Sequence, residues 1–276
     1  MNLVLQGSAL DRAFAQSIAG KLAASALETI GPKAFRLRGA RRDDSIAALC
    51  DARHIDHAWM PEGRRFAELK LLAMDMDSTL ITIECIDELG DLAGRKAEIA
   101  AITAQAMRGE IDYPESLRRR VALLAGLQEA ALATVYEQRL SLTAGAEELV
   151  AACKKHGVKI LLVSGGFTFF AERLKERLGI DYTISNRLEI ERSRLTGRVS
   201  GAIVEAEAKA RRFREVSKAL AAGRDQTVAI GDGANDLEMM AQAGFSIAFH
   251  AKPVVRAQAS CALNWCGLDA VVNLFE

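Results

Sequence analysis

Several things are scarce in this chain, and each shortage excludes something. There are only 5 cysteines in 276 residues. Cys50, Cys85, Cys153, Cys261 and Cys266 are scattered, with no C-x-x-C pair. An odd, dispersed set gives no disulfide framework and reads as reduced thiols of a cytoplasmic protein. Cys261 and Cys266 lack a nearby His or Cys to complete a metal site. His54 and His57 have ligand-like spacing but no partner cluster, and read as a polar loop before a strand. No run of eighteen apolar residues occurs, so no membrane-spanning helix is expected. The start, Met1 to Gly7, lacks a basic segment and a long apolar one, so it does not read as a signal peptide. Neither charge is in excess: Lys+Arg and Asp+Glu are each 36. A neutral chain has no global attraction to nucleic acid or an anionic membrane, and neither is expected as a partner. The basic clusters Arg41-Arg42, Arg118-Arg119-Arg120 and Arg211-Arg212 read as solvated helix faces.

What is present is a large apolar fraction, half of all residues, in a chain long enough for one large domain or two smaller ones. In the first sixty residues strand and helix signals alternate. Strands are predicted at Asn2–Gln6, Lys33–Arg38 and Ile55–Met60, and helices at Ala9–Leu27 and Asp43–Cys50. Pro61-Glu62-Gly63 then marks a boundary. Beyond it the apolar runs Leu69–Met74, Lys159–Val163, Thr227–Ile230 and Phe245–Phe249 are predicted strands. Helical stretches at Ala144–His156, Phe169–Leu178, Glu205–Ala222 and Asp236–Ala243 separate most of them. Such alternation implies an α/β fold with a parallel sheet covered by helices on both faces. Glu84–Leu142 is almost wholly helical in composition and too long for a simple crossover, so it is predicted to be an inserted cap.

The chemistry concentrates at strand ends. Asp75-Met76-Asp77-Ser78-Thr79 directly follows the first apolar run of this second region. Alternate residues of a strand share a side, so a strand ending near Asp75 delivers two carboxylates to one pocket. One suits a nucleophile and the other a general acid and base, as phosphoryl transfer through an aspartyl phosphate requires. Alone, the pentapeptide also reads as a capping turn. Ser164 and Asp232 follow two further apolar strands, and the carboxyl ends of parallel strands form the ligand crevice. Ser164-Gly165-Gly166-Phe167 offers a hydroxyl and glycine N–H groups at a strand-to-helix turn, where anions bind; an ordinary glycine-rich turn has the same sequence signature. Gly231-Asp232-Gly233-Ala234-Asn235-Asp236 supplies hard oxygen donors of the kind Mg²⁺ takes, and Asn235 or Asp236 serves equally as a helix cap. Lys209 opens the helix before the Asp232 strand. Alone it reads as a surface residue; beside the other motifs it supplies the cation that phosphoryl oxygens need.

Together these motifs resemble the haloacid dehalogenase (HAD) superfamily of phosphatases, and within it the members acting on phosphoserine, from about Leu69 to Glu276. Asn186-Arg187-Leu188 and Leu195-Thr196-Gly197 are similar to that family's β-flap. The first sixty residues resemble, less closely, an ACT-like regulatory domain. The resemblance implies a HAD-like Rossmannoid parallel sheet over 66–276 with a helical cap at about 84–142. A small α/β domain over 1–65, for regulation or homodimerisation, is implied to precede it. It implies Asp75 as nucleophile, Asp77 as general acid and base, and Ser164, Gly165 and Lys209 as holders of the phosphoryl oxygens. Mg²⁺ would be bound by Asp75, the Asp77 carbonyl and Asp232, with Asp236 orienting the ion's water and Asn235 contacting phosphate or water. Glu84 is implied to meet the substrate amine and Arg120 its carboxylate, a pairing that bidentate geometry favours. Met107 and Tyr113 are implied to shield the site, Tyr113 standing where the family often has Phe. The implied reaction is hydrolysis of O-phospho-L-serine, the last step of serine biosynthesis. Two rivals are a phosphotransferase that passes the same phosphoryl group to homoserine, and a non-catalytic amino-acid-binding regulator. The complete set of acids argues against the second.

Overall fold

A computed structural model describes all residues, 1–276. Its first unit runs β1 (Asn2–Gln6), α1 (Arg12–Lys21), β2 (Ala26–Gly31), β3 (Ala34–Arg38), α2 (Ile46–Asp51), β4 (Asp56–Met60). The strands lie in the order β2-β3-β1-β4, each antiparallel to its neighbour. This is the split βαβ arrangement of ferredoxin-like folds. All five residues of β1 are buried because both faces of the sheet are covered. Leu3 and Leu5 pack with Phe14, Ile18 and Ile46 of the helices. Val4, Ala58 and Met60 instead join the core of the rest of the molecule, beside Phe66 and Phe275.

The predicted helix over Ala9–Leu27 is too long. The helix ends at Lys21, Ala23 turns the chain with φ 49°, and Ala26–Gly31 is an edge strand. Alanine-rich composition masks the turn, and a half-exposed edge strand carries no clear apolar alternation.

The second unit continues β5 (Leu71–Asp75), α3 (Cys85–Leu92), α4 (Lys96–Met107), α5 (Tyr113–Ala122), α6 (Ala130–Gln138), α7 (Ala146–His156), β6 (Lys159–Phe167), α8 (Thr168–Leu178), β7 (Tyr182–Glu191), β8 (Arg194–Ser200) and α9 (Ala206–Ala219). It closes with β9 (Thr227–Gly231), α10 (Leu237–Gln242), β10 (Phe245–Phe249), α11 (Pro253–Arg256), β11 (Cys261–Leu263) and α12 (Ala270–Asn273). The sheet order is β11-β10-β9-β5-β6-β7-β8, parallel throughout except for β8. The chain starts in the middle at β5, builds outward through β6 and β7, then returns to β9 on the other side. The strand order therefore reverses between β5 and β9, and a ligand crevice opens at such a switch point, outside the carboxyl ends of the strands. β5 and β9 are buried along their whole length, so burial fixes the register that carries their last residues to that edge.

Two additions flank this crevice. Helices α3 to α6 form the cap, rooted where Ile81 and Leu142 make an isolated antiparallel bridge. β7 and β8 form the flap, a hairpin whose turn residues Arg192 and Ser193 both have positive φ (49° and 58°), as a two-residue hairpin turn requires. The flap holds the cap through backbone bonds from Gly126 to Leu195, Leu195 to Leu127 and Glu129 to Ser193. Contrary to the predicted turn at Ser164–Phe167, β6 runs on to Phe167, with its pairing to β7 interrupted between Val163 and Phe167.

Candidate active site

Three strands and the buried face of one helix meet at the crevice. Asp75 is the last residue of β5, and the chain then makes a single wide turn over Met76–Leu80. That turn carries Asp77 back to the same side as Asp75. Ser164 lies on β6, Asp232 follows β9, and Lys209 stands on the buried face of α9.

Lys209 is the hub. Its ammonium is wholly buried and lies 2.8 Å from Asp75 Oδ1 and 2.8 Å from Asp236 Oδ1. Burial alone would lower its pKa, but Asp236 and Asp75 outweigh it and the group is held charged. Asp236 is fixed on its other oxygen by the Gly233 N–H at 3.1 Å. The Asp75 pKa is raised well above the carboxylate range, first by burial and then by Asp236. Asp232 is pushed up to about 6 by the same two causes and accepts from the Thr79 hydroxyl at 3.4 Å.

Carboxylate oxygens of Asp75, Asp232 and Asp236 lie within 4.8 Å of one another. Three carboxylates against the single buried ammonium leave an excess of negative charge, and the donors are hard oxygens. A divalent, oxygen-preferring cation fits that set. The Asp77 carboxylate is not part of this cluster. Its Oδ1 accepts from the Cys85 N–H at 2.9 Å, at the start of α3, and its Oδ2 lies 3.3 Å from Ser164 Oγ. Burial raises the Asp77 pKa, opposed by the bond from Cys85.

The crevice is a cavity of about 480 Å³ between core and cap. Glu84, Met107, Tyr113 and Arg120 line it from the cap side, and Asp75, Asp77, Gly165, Asp232 and Asn235 from the core. Glu84 accepts from Ser78 Oγ at 2.7 Å, and burial followed by Asp77 pushes its pKa up to about 7. The basic run on α5 divides by helical period. Arg118 and Arg119 are exposed, Arg119 pairing with Glu115, whereas Arg120 turns inward with Ser116 and Leu117. Met107 stands at the cavity lip and is 67% exposed, so it borders the site without sealing it.

Every residue that the resemblance implied for the site thus borders the cavity or its charge network. Two contributors escaped that reading. Lys252, in His250-Ala251-Lys252-Pro253, lines the cavity, and its backbone N–H donates to the Asp232 carbonyl. Its signal was available: it follows a predicted apolar strand, β10, as the other site residues do. The Cys85 N–H that holds Asp77 has no side-chain signature at all.

Comparison with known proteins places the chain. A model of the haloacid dehalogenase-like hydrolases matches residues 72–241. A phosphoserine phosphatase from Polaromonas is 55% identical over 217 residues, covering 77% of this chain and 92% of that one. A crystal structure described as a probable phosphoserine phosphatase from Vibrio cholerae superposes over 99% of this chain and 86% of its own, with 37% identity and a TM-score of 0.86. A structure described as a phospho-aspartyl intermediate analogue of phosphoserine phosphatase covers 75% of this chain and 99% of its own, with 37% identity and a TM-score of 0.71. The chain belongs to the haloacid dehalogenase-like hydrolases and, within them, to the phosphoserine phosphatase family.

Proposed function

We propose that this protein hydrolyses O-phospho-L-serine to L-serine and phosphate through a phosphoaspartate on Asp75, with Mg²⁺ as its metal. The observation that carries the proposal is the opposed fixing of the two acids of the first motif. Asp75 is gripped on Oδ1 by a buried lysine, which leaves Oδ2 for phosphorus. Asp77 is turned away from the carboxylate cluster toward Ser164, with a raised pKa. Burial favours the neutral form of Asp77, which suits it to give a proton to a leaving serine alkoxide. Asp75 Oδ2 forms the bond to phosphorus as the ester bond breaks, and the Asp77 proton goes to the serine oxygen. The resulting Asp77 carboxylate then takes a proton from the water that attacks the phosphoaspartate, restoring both acids. Ser164 Oγ, the Gly165 N–H and Lys209 would hold the phosphoryl oxygens, with Asn235 at the rim. Asp75, Asp232 and the Asp77 carbonyl would hold Mg²⁺, supported by Asp236, and the ion would supply charge neutralisation on the phosphoryl group.

Phosphate monoesters need up to about 10²¹-fold acceleration, whereas acid–base help supplies about 10²–10⁴. A positioned nucleophile, cationic groups and a cover must therefore act together, and each has a counterpart here. Substrate choice would lie with Glu84 for the ammonium and Arg120 for the carboxylate, with Met107 and Tyr113 as cover. Residues 1–65 would serve regulation or self-association, with β2 as an exposed sheet edge.

The test is phosphate release from O-phospho-L-serine with Mg²⁺, and mass spectrometry of the acid-quenched enzyme. Wild type should release phosphate and carry the transient label on Asp75, and Asp75→Asn should do neither. A label on another residue, or an Asp75→Asn variant as active as wild type, would end the proposal.

A further inference from the structure

Between Val163 and Phe167 the pairing of β6 with β7 is interrupted. Backbone groups there lose their ladder partners and must be satisfied otherwise. The Gly165 carbonyl is satisfied twice, by side chains from two different parts of the molecule. Tyr113 Oη, at the start of cap helix α5, donates to it at 2.9 Å. Asn186 Nδ2, on flap strand β7, donates to it at 2.7 Å. The approach is so close that a Cβ at position 165 would collide with the Tyr113 hydroxyl, so any larger residue there would push the tyrosine away. Asn186 is 1% exposed, and its Oδ1 is held by the Val204 N–H at 2.8 Å, so the amide orientation is fixed.

The same peptide unit carries the Gly166 N–H, which donates to Ser164 Oγ at 2.8 Å. Ser164 Oγ in turn lies 3.3 Å from Asp77 Oδ2. A rigid peptide plane links its two ends. Whatever sets the Gly165 carbonyl therefore sets the Gly166 N–H, and with it the hydroxyl beside the general acid.

We propose that Tyr113 and Asn186 are positioning residues: from cap and flap they clamp one carbonyl, and through the Gly165–Gly166 peptide they orient Ser164 toward Asp77. The inference rests on the phosphatase reading above. Asn186 pairs with Phe167 of β6, so its bond belongs to the central sheet, whereas the Tyr113 bond reaches Gly165 from the cap and needs the cap in this position. Closure of the cap is thereby coupled to completion of the phosphate pocket.

Tyr113→Phe keeps the ring and removes one donor. Asn186→Asp keeps the acceptor for Val204 and, when ionised, sets an oxygen against the Gly165 carbonyl in place of the donor. Tyr113→Phe is expected to lower kcat for O-phospho-L-serine by roughly threefold to tenfold, the worth of one hydrogen bond, with KM changed less, and Asn186→Asp by more, because a repulsion replaces the bond. Inorganic phosphate should bind each more weakly. The melting temperature of Tyr113→Phe should fall by no more than a few degrees, about 2–4 °C for the loss of one hydrogen bond. Because both donors act on one acceptor, the double variant should depart from the product of the single losses. A Tyr113→Phe enzyme equal to wild type in kcat and in phosphate affinity overturns the clamp, and so do single losses that multiply cleanly. A wild type that binds inorganic phosphate yet hydrolyses nothing refutes the phosphatase reading alone. In that case the clamp is judged by phosphate affinity: weaker binding to Tyr113→Phe upholds it, and unchanged binding overturns it.

Discussion

Two cap residues of opposite charge, Glu84 and Arg120, line the cavity, and on the proposed function substrate choice would rest on these single side chains. Arg120 is the one arginine of its run that reaches the cavity. A charge-assisted pair is worth about 1.5–3 kcal/mol. Arg120→Ala should therefore cost roughly 10- to 100-fold in kcat/KM on O-phospho-L-serine and far less on a phosphate ester without a carboxylate. Equal losses on the two substrates would remove Arg120 from recognition. Glu84 must be ionised to meet an ammonium, yet its pKa is pushed up to about 7. Its charge is lost as the pH falls through that value. KM for O-phospho-L-serine should rise by about tenfold between about pH 8 and about pH 6. In Glu84→Gln the dependence should flatten, and a profile as steep as wild type would show that another group titrates. At this scale the sequence was most informative. Asp75, Asp77, Ser164, Lys209 and Asp232 stand at strand ends or on the helix beside them because the motifs that hold them are local. That Lys209 bridges Asp75 and Asp236, 134 and 27 positions away, is set by how α9 packs and has no local signal.

Among the elements, the ends of strands carry the site and their glycines give it room. Gly231 closes β9, and a Cβ there would meet Asp236 Cβ at 2.5 Å. Gly231→Ala should destabilise the fold by about 1–3 kcal/mol through overpacking. It should also disturb turnover, because Asp236 is the second partner of Lys209. Urea unfolding together with phosphate release checks both, and a variant as stable and active as wild type would show that the turn yields freely. Fully buried strands such as β5 and β10 were legible, since burial on both faces leaves a nearly unbroken apolar run. The edge strand β2 and the short β11 were not, because partial exposure removes the apolar signal at one and three residues are too few at the other. The extension of β6 through Ser164-Gly165-Gly166 was also hidden, since the glycine pair reads as a turn wherever it stands.

Across the whole molecule, charge balance at the crevice couples metal, pH and stability. Without an ion, Asp232 has its pKa raised from the ordinary carboxylate range to about 6, Glu84 to about 7, and Asp75 is raised as well. A group whose pKa is higher folded than unfolded stabilises the fold below its unfolded value and loses that contribution as pH rises through its folded one. The metal-free protein should therefore lose melting temperature as pH rises from about 4, the unfolded carboxylate value, to about 7. Mg²⁺ at about a hundred times its Kd should restore roughly 2.7 kcal/mol, most visibly at the higher pH. A melting temperature that climbs with pH, or that ignores Mg²⁺, would exclude the carboxylate cluster as the metal's seat. The first unit is bound into the same body. Asp56 accepts three backbone N–H groups, from Asn264, Trp265 and Cys266. Arg36 donates to the carbonyls of Asn273 and Phe275. By itself the sequence determined the α/β class, the helical insertion and the acids at the strand ends, because hydrophobic period and motif spacing are local properties. Only the tertiary structure decided the convergence on Lys209, the choice of Asp236 over the Asp77 carboxylate in the acidic cluster, and the meeting of cap and flap at Gly165. Those depend on strand order and helix packing, through which residues distant in the chain become neighbours.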